Sequence, residues 1–200
     1  MLSKKLFSEA CEKNKQPILN VIKPLLQSSV ILLEIGSGTG QHAVYFAEEM
    51  PHLKWQTSDV KENHPSINSW LDDSQLDNIL PPVSLNVLTD PWPDIRFDAV
   101  YSANTAHIMS WQAVEAMFSG VAKKLNPDGV FILYGPFNYQ GNFTSDSNQQ
   151  FDLWLKSVDA ERGIRNFEAL QKLAEKYQMS LLDDYAMPAN NRILVWRLNS

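Results

Sequence analysis

The sequence predicts an α/β protein of the doubly wound, Rossmann-like kind, with one seven-stranded sheet and helices on both faces. Three observations point there. Short apolar runs rich in β-branched and aromatic residues alternate with amphipathic helical stretches, as in a parallel sheet covered on both sides. The stretch LLEIGSGTGQHAVYFAEEM, Leu32 to Met50, is an apolar strand that meets a glycine at every second position and then turns helical. Finally, the chain closes on two strand-like runs, SLLDDYA and RILVWRL. With 200 residues, 44% of them hydrophobic, a single domain over 1–200 with a full core is the simplest organisation.

Taken in order, residues 1–29 form an N-terminal helical cap whose helix, about 6–26, is expected to kink or break at Pro17 and Pro24, where a backbone donor is lost and the ring crowds the preceding turn. The strands are VILLEI (Val30 to Ile35), LKWQTSD (to Asp59), VSLNV (to Val87), FDAVYSA (Phe97 to Ala103) and VFILYG (from Val130), followed by the closing pair. Helices are expected at about 41–50, 65–72, 111–125 and 166–178. Asn126 to Gly129, NPDG, is a turn that stops a helix and starts a strand, and Gly135 to Asn148 reads as a long irregular loop.

Composition excludes several functions. A formal charge of −6 disfavours a surface devoted to a nucleic-acid backbone. One cysteine, Cys11, makes no internal disulfide, and the four histidines show no metal-ligand spacing, so no metal is expected. The N-terminus lacks an apolar leader core, and nowhere do eighteen apolar residues run together, so the expectation is a cytoplasmic protein without a membrane partner.

The glycine turn carries the chemistry. A strand that ends in a glycine turn and enters a helix at the first position of such a sheet offers backbone N–H groups at the carboxyl edge, where ligands bind. Gly36, Gly38 and Gly40 give G-x-G-x-G; the dinucleotide fingerprint wants a glycine where Gln41 stands, and no Lys-Ser/Thr follows for a phosphate loop. With Glu34 the string is E-x-G-x-G-x-G, which resembles the first motif of class I S-adenosylmethionine-dependent methyltransferases. The glycines are expected to let the main chain approach the cofactor where any Cβ would collide. Asp59, nineteen residues after Gly40 at the end of the second strand, suits both hydroxyls of a ribose, although a cap or an exposed turn is the plain alternative. Asn86 resembles the residue that meets the adenine amino group in such enzymes, with Val87 beside the ring. Ser102, Ala103 and Asn104 would then line the methionine end.

Further strings narrow the resemblance: NKQPIL, GSGTGQHAVYFA, WQTSDV, NTAHI, YGPF, SNQQFD and MPANN, spread over nearly the whole chain. They resemble the methyltransferase-like 26 family (DUF938, UPF0585). The family implies the class I methyltransferase fold, with its sheet order and antiparallel seventh strand, and S-adenosyl-L-methionine as cofactor; Asn86 departs from the Asp expected there. The resulting cofactor set is Asn14, Glu34, Gly36, Ser37, Gly38, Gly40, Gln41, His42, Asp59, Asn86, Val87 and Asn104. His107 and Tyr134 are the catalytic candidates, as a base with a suitable unperturbed pKa and as a residue orienting the acceptor; a structural histidine and a buried, satisfied tyrosine are the plain readings.

DPWP, Asp90 to Pro93, follows the third strand rather than the fourth, so it is not the motif of base-methylating enzymes. Trp92, Phe137, Tyr139, Phe143 and Trp154 form either an aromatic lid or the loops' own core. Asn14 and Lys15 close the site from above or lie on an exposed helix, and MPANN doubles as a turn between the last strands. The expected function is methyl transfer to a small-molecule acceptor with no nucleic-acid partner. The alternatives are a non-catalytic protein that binds the cofactor and a nicotinamide-dependent oxidoreductase.

Overall fold

The computed structural model describes residues 5–200; positions 1–4 of the expected N-terminal cap lie outside the described residues. The elements are α1 (Glu9–Leu25), β1 (Ile31–Ile35), α2 (Gln41–Glu49), β2 (Lys54–Asp59), α3 (His64–Ser74), β3 (Ile79–Ser84), β4 (Phe97–Ala103), α4 (Trp111–Lys124), β5 (Leu125–Gly135), β6 (Phe137–Asn138), α5 (Asp146–Val158), β7 (Arg165–Asn166), α6 (Phe167–Lys176), β8 (Met179–Met187) and β9 (Asn191–Leu198). The main sheet has the order β3-β2-β1-β4-β5-β9-β8. Pairs among β3, β2, β1, β4 and β5 are parallel, and β9 runs antiparallel to both β5 and β8. This is the expected seven-stranded doubly wound sheet, with its reversed strand inserted next to last.

Alternation of side chains along the strands divides the core into two layers. Leu32, Tyr101, Ile132 and Val195 face α1 and α2, packing with Ile18, Ile22, Phe46 and Trp55. Their neighbours Leu33, Val100, Phe131 and Trp196 face α4 and α6, packing with Met117, Phe118, Leu170 and Ala174. Burying each large side chain contributes about 1.5–3 kcal/mol. The glycine turn and the carboxyl ends of β1 to β5 therefore sit on a framework braced from both sides.

Several local expectations are corrected. The N-terminal helix does not break at Pro17: α1 is continuous with both prolines inside it, and its buried stripe of Ile18, Leu19 and Ile22 holds the helix against the sheet. The third strand ends at Ser84 rather than Val87, because Asp90 turns back to accept from Ser84 Oγ at 2.8 Å and Asn86 N–H at 3.0 Å. It begins earlier, and its Pro81 and Pro82 are tolerated on a sheet edge. The loop expected over 135–148 is partly ordered: β6 pairs with β7, and Ser145 caps α5 by accepting from Asn148 N–H at 3.1 Å. Residues 126–129, expected as a turn ahead of the strand, lie inside β5 as a bulge between its pairings with β4, with Asp128 left-handed at φ 62°.

Candidate active site

At the carboxyl edge of the sheet lies a cleft of about 820 Å³, toward the upper end of the range for small-ligand sites. Of the sequence-derived set, Asn14, Glu34, Gly36, Ser37, Gly38, His42, Asp59, Asn86, Val87, Asn104 and His107 line it. Gly40, Gln41 and Tyr134 do not.

The three glycines are needed for different reasons. Gly36, at φ +75°, has no room for a Cβ, which would sit 2.5 Å from Thr105 Cγ2. Gly40, at φ +97°, passes α3 so closely that a Cβ would lie 3.0 Å from Ile67 Cα. Only Gly38, at φ +57°, has open space where its side chain would be. The expectation that all three make room for a ligand is thus corrected: two fix the turn against the protein, and one leaves bare main chain on the cleft.

The floor beside that turn is polar. Glu34, buried at the end of β1, accepts from Ser37 Oγ at 2.8 Å and from Trp55 Nε1 at 3.1 Å. Burial pushes its carboxyl up to about 7, the two donors pull the other way, and Asp59 adds to the rise. Asp59 Oδ2 accepts Gly38 N–H at 2.7 Å, while Oδ1 accepts Val60 N–H at 2.7 Å and Asn63 Nδ2 at 2.9 Å. The carboxylate therefore ties the end of β2 to the glycine turn, as the turn-capping alternative has it, and also borders the cleft. Asn86 lines the cleft, and its Oδ1 accepts Leu88 N–H at 3.1 Å in an Asx turn. The adjacent Val87 N–H has no acceptor among the described residues.

Helix α1 closes this region from above. Gln41 belongs to that closure and not to the cleft wall: its Oε1 accepts Ser8 N–H at 2.5 Å and Thr39 Oγ1 at 3.1 Å. His42 Nε2 meets Asn14 Oδ1 at 2.7 Å and the ring stacks on Phe46 at 5.1 Å. Burial lowers its pKa to about 4, so it is a neutral tie between α2 and α1. Lys15 points away, paired with Glu12 over the Tyr45 ring. Tyr134 stands behind the wall: its ring is in the core, and burial raises its pKa while hydrogen bonding with Asn14 and Asn191 acts against that rise.

The other half of the cleft comes from β4 onward. Ser102 is buried away from it, bonded to Ile35 O at 2.8 Å and Thr105 Oγ1 at 2.6 Å, whereas Ala103 and Asn104 reach it. Asn104 is left-handed at φ 57°, and its N–H donates to Tyr134 O at 2.9 Å. His107 is 7% exposed, and its ring has no hydrogen-bond partner among the described residues. Its pKa is lowered to about 4, first by burial and then by Arg165 and Arg162. The ring meets Phe151 edge-on at 5.3 Å, and Phe151 stacks with Trp154 at 5.7 Å and 13°. Ile108, Met109, Asn148, Leu155, Ala189 and Asn191 complete the wall.

Of the expected aromatic lid only Trp154 is on the cleft. Trp92 is pressed on Gly120, Phe137 is in the core, and Tyr139 stacks on Phe167 and donates to Asp184 at 2.8 Å. The residues missed from sequence include Ser8, Ala10 and Cys11 at the start of α1, Ile108, Met109 and Ala113, and the α5 residues Asn148, Phe151 and Leu155, of which α5 had a readable signal. That signal lies in Ser145 followed by Asp146 and an apolar periodicity at Phe151, Trp154 and Leu155. MPANN is the turn between β8 and β9, and Asn148 Nδ2 donates to Asn190 O at 3.2 Å, which joins it to α5.

Known structures share this architecture at low identity. An O-methyltransferase family protein from Burkholderia thailandensis is 12% identical with a TM-score of 0.84, over 96% of this chain and 58% of its own. Human N-acetylserotonin methyltransferase, solved in complex with SAM, is 16% identical with a TM-score of 0.81, over 96% and 53%. The S-adenosylmethionine-dependent methyltransferase SibL gives 15% and 0.81, over 96% and 56%. The chain thus spans little more than half the length of these proteins, and the likeness is one of fold. A family model described as "Protein of unknown function (DUF938)" matches residues 5–198, so the chain belongs to the DUF938 family.

Proposed function

We propose that this protein is an S-adenosylmethionine-dependent methyltransferase acting on a small molecule, of the methyltransferase-like 26 kind. The observation that carries the reading is the bare main chain at Gly38, set between the buried Glu34 and Asp59 on a cleft at the carboxyl ends of β1 to β3. The residues fit the cofactor. Glu34 and the open face of Gly38 suit its methionyl part, Asp59 the ribose, and Val87 N–H with Asn86 Nδ2 the ring nitrogens of adenine. Asn86 differs from the expected acidic residue in offering a donor, because its oxygen is already used by Leu88.

When bound, the cofactor supplies a methyl group on a positively charged sulfur, which an acceptor's lone pair takes in line while the C–S electron pair stays on sulfur. The chain's own work is then alignment, to roughly 3–3.5 Å, and removal of any proton from the acceptor. His107, without an internal partner, is the group placed to receive it, but with its pKa lowered from the expected near-neutral value to about 4 it would relay the proton toward solvent rather than keep it. The cleft lining continues past Asn104 to His107, Phe151 and Trp154, which favours turnover over cofactor binding alone.

Calorimetric titration with S-adenosylhomocysteine and, separately, NADH tests the assignment. Binding of the thioether nucleoside is expected; a response to NADH alone would overturn it.

A further inference from the structure

The two compartments of the cleft carry different chemistry. Among its described lining residues the only carboxylates are Glu34 and Asp59, both at the β1 and β2 ends, and none is Lys or Arg. Beyond Asn104 no charged side chain is on the wall to pair directly with a phosphate, a carboxylate or an ammonium group; Arg165 and Arg162 act on His107 only from behind it. The nearest guanidinium is committed to the protein: Arg165 donates to the backbone carbonyls of Ala106 at 3.0 Å and Glu161 at 2.8 Å, and also to Met109 O. Arg162 lies off the wall, with Nε 3.9 Å from Asp159.

What this compartment does hold is flat. Phe151 and Trp154 stack on one another with their planes only 13° apart and their centroids at 5.7 Å, and Trp154 is 56% exposed, which leaves an aromatic face at the outer end of the stack open to a planar partner. At the inner end of this aromatic ladder stands the His107 imidazole, buried yet open to the cleft, with one donor and one acceptor nitrogen unmet by the described residues. A buried polar ring costs free energy unless something pairs with it, and here only a ligand or water does.

Resting on the methyltransferase reading, we infer that the acceptor is an uncharged, planar ring compound bearing a hydroxyl, its ring against Phe151 and Trp154 and its hydroxyl at the His107 imidazole. The acceptor oxygen then gains the O–CH3 bond, and its proton passes to a ring nitrogen of His107 and on to solvent. Selection by flatness and neutrality, rather than by charge, follows from the same wall.

The test uses 2-naphthol, 2-naphthoate and the non-planar trans-2-decalol as probes in calorimetric titrations of the full chain, each with and without S-adenosylhomocysteine. The phenol is expected to bind, with the anion and the saturated alcohol at least about tenfold weaker. Trp154→Ala and Phe151→Leu should each weaken 2-naphthol by about three- to tenfold, leaving S-adenosylhomocysteine affinity unchanged. Equal or tighter binding of 2-naphthoate, no binding of 2-naphthol, or indifference of 2-naphthol to both substitutions would overturn the inference. Because the titrations without the nucleoside report on the ring site alone, loss of S-adenosylhomocysteine binding would instead remove the donor assignment.

Discussion

The half of the cleft around the glycine turn and the half around α5 are built by opposite means. The first is made of main chain and two carboxylates contributed by short segments at the ends of adjacent parallel strands, each positioned by its own strand. The second is made of side chains from three distant segments, at 107–113, 148–155 and 189–191, brought together by helix packing and one hydrogen bond from Asn148 to Asn190. A site specified by backbone geometry tolerates few residue types. A site specified by side-chain surface tolerates many, and its selectivity is correspondingly easier to change.

The largest test of this contrast separates two glycines two residues apart. Gly36→Ala places a Cβ against Thr105 in a left-handed conformation and should cost roughly 2–4 kcal/mol of stability in urea unfolding, part strain and part overpacking. Thr105→Ser, which removes the clashing methyl and keeps the hydroxyl on Ser102, should recover the packing part. Gly38→Ala meets no protein atom, so about 1 kcal/mol of stability is lost while S-adenosylhomocysteine affinity falls by about tenfold or more. If both variants behaved alike, the distinction between a structural and a ligand-facing glycine would be gone.

The buried carboxyl and the buried imidazoles should also respond to pH with opposite sign, Glu34 and His42 doing so within one half of the cleft. Glu34 is raised from 4.5 to about 7 in the fold, so its contribution is full below the unfolded value and is lost as pH rises from about 4.5 through 7. His42 and His107 are lowered from 6.5 to about 4, so their contribution is present above 6.5 and is lost as pH falls toward 4. Two histidines outweigh one carboxyl, each shift being worth on the order of 3 kcal/mol, and net destabilisation on acidification below pH 6.5 is expected. Glu34→Gln should be more stable than the parent by up to about 3 kcal/mol at pH 8, with the gain vanishing near pH 4.5. Thermal unfolding across that range checks it, and a gain independent of pH would sink the Glu34 assignment.

Asp59 connects the turn to the ligand side. If Asp59 met only a ribose, Asp59→Ala would weaken the cofactor and leave the fold intact. The three hydrogen bonds its carboxylate accepts predict both effects: an affinity loss of about 1.5–3 kcal/mol by calorimetry, and a lower midpoint in denaturant. An affinity loss without any change of midpoint would mean that the turn holds itself.

How much was legible follows from the same contrast. The glycine turn and the carboxylate beside it sit in contiguous strings, E-x-G-x-G-x-G and the acid ending β2, where local chemistry and tertiary position coincide, whereas the strand order came only from the family resemblance. What failed was anything decided at a distance. Pro17 reads as a break but is overridden by the buried face of α1. Gln41 and Gly40 lie inside the motif yet turn away from the cleft because α1 and α3 pass behind it. Trp92 and Phe137 are as aromatic as Trp154, and only the packing of α4 and α6 tells which of them reaches a ligand. Helix α5 was hidden because its cap lies in a polar stretch, TSDSN, that composition assigns to a loop.

Gln41 gives the smallest expected effect and bears on how the donor half is kept shut. Its amide holds Ser8 through both backbone groups, accepting the N–H at 2.5 Å and donating to the carbonyl at 3.4 Å, and thereby fixes the segment that leads into α1. Leu6 is held in turn by α3, its N–H on Ser66 Oγ at 3.0 Å and its carbonyl on Trp70 Nε1 at 2.8 Å. Gln41→Ala should therefore lower global stability by only about 1 kcal/mol, because the α3 contacts remain. Hydrogen exchange at the Ser8 amide should accelerate by about tenfold while exchange in β1 and β4 stays unchanged. S-adenosylhomocysteine affinity should hardly move, since the side chain is not on the cleft wall. A large loss of affinity with normal exchange at Ser8 would return Gln41 to the ligand side, and with it the idea that every residue of the glycine motif faces the cofactor.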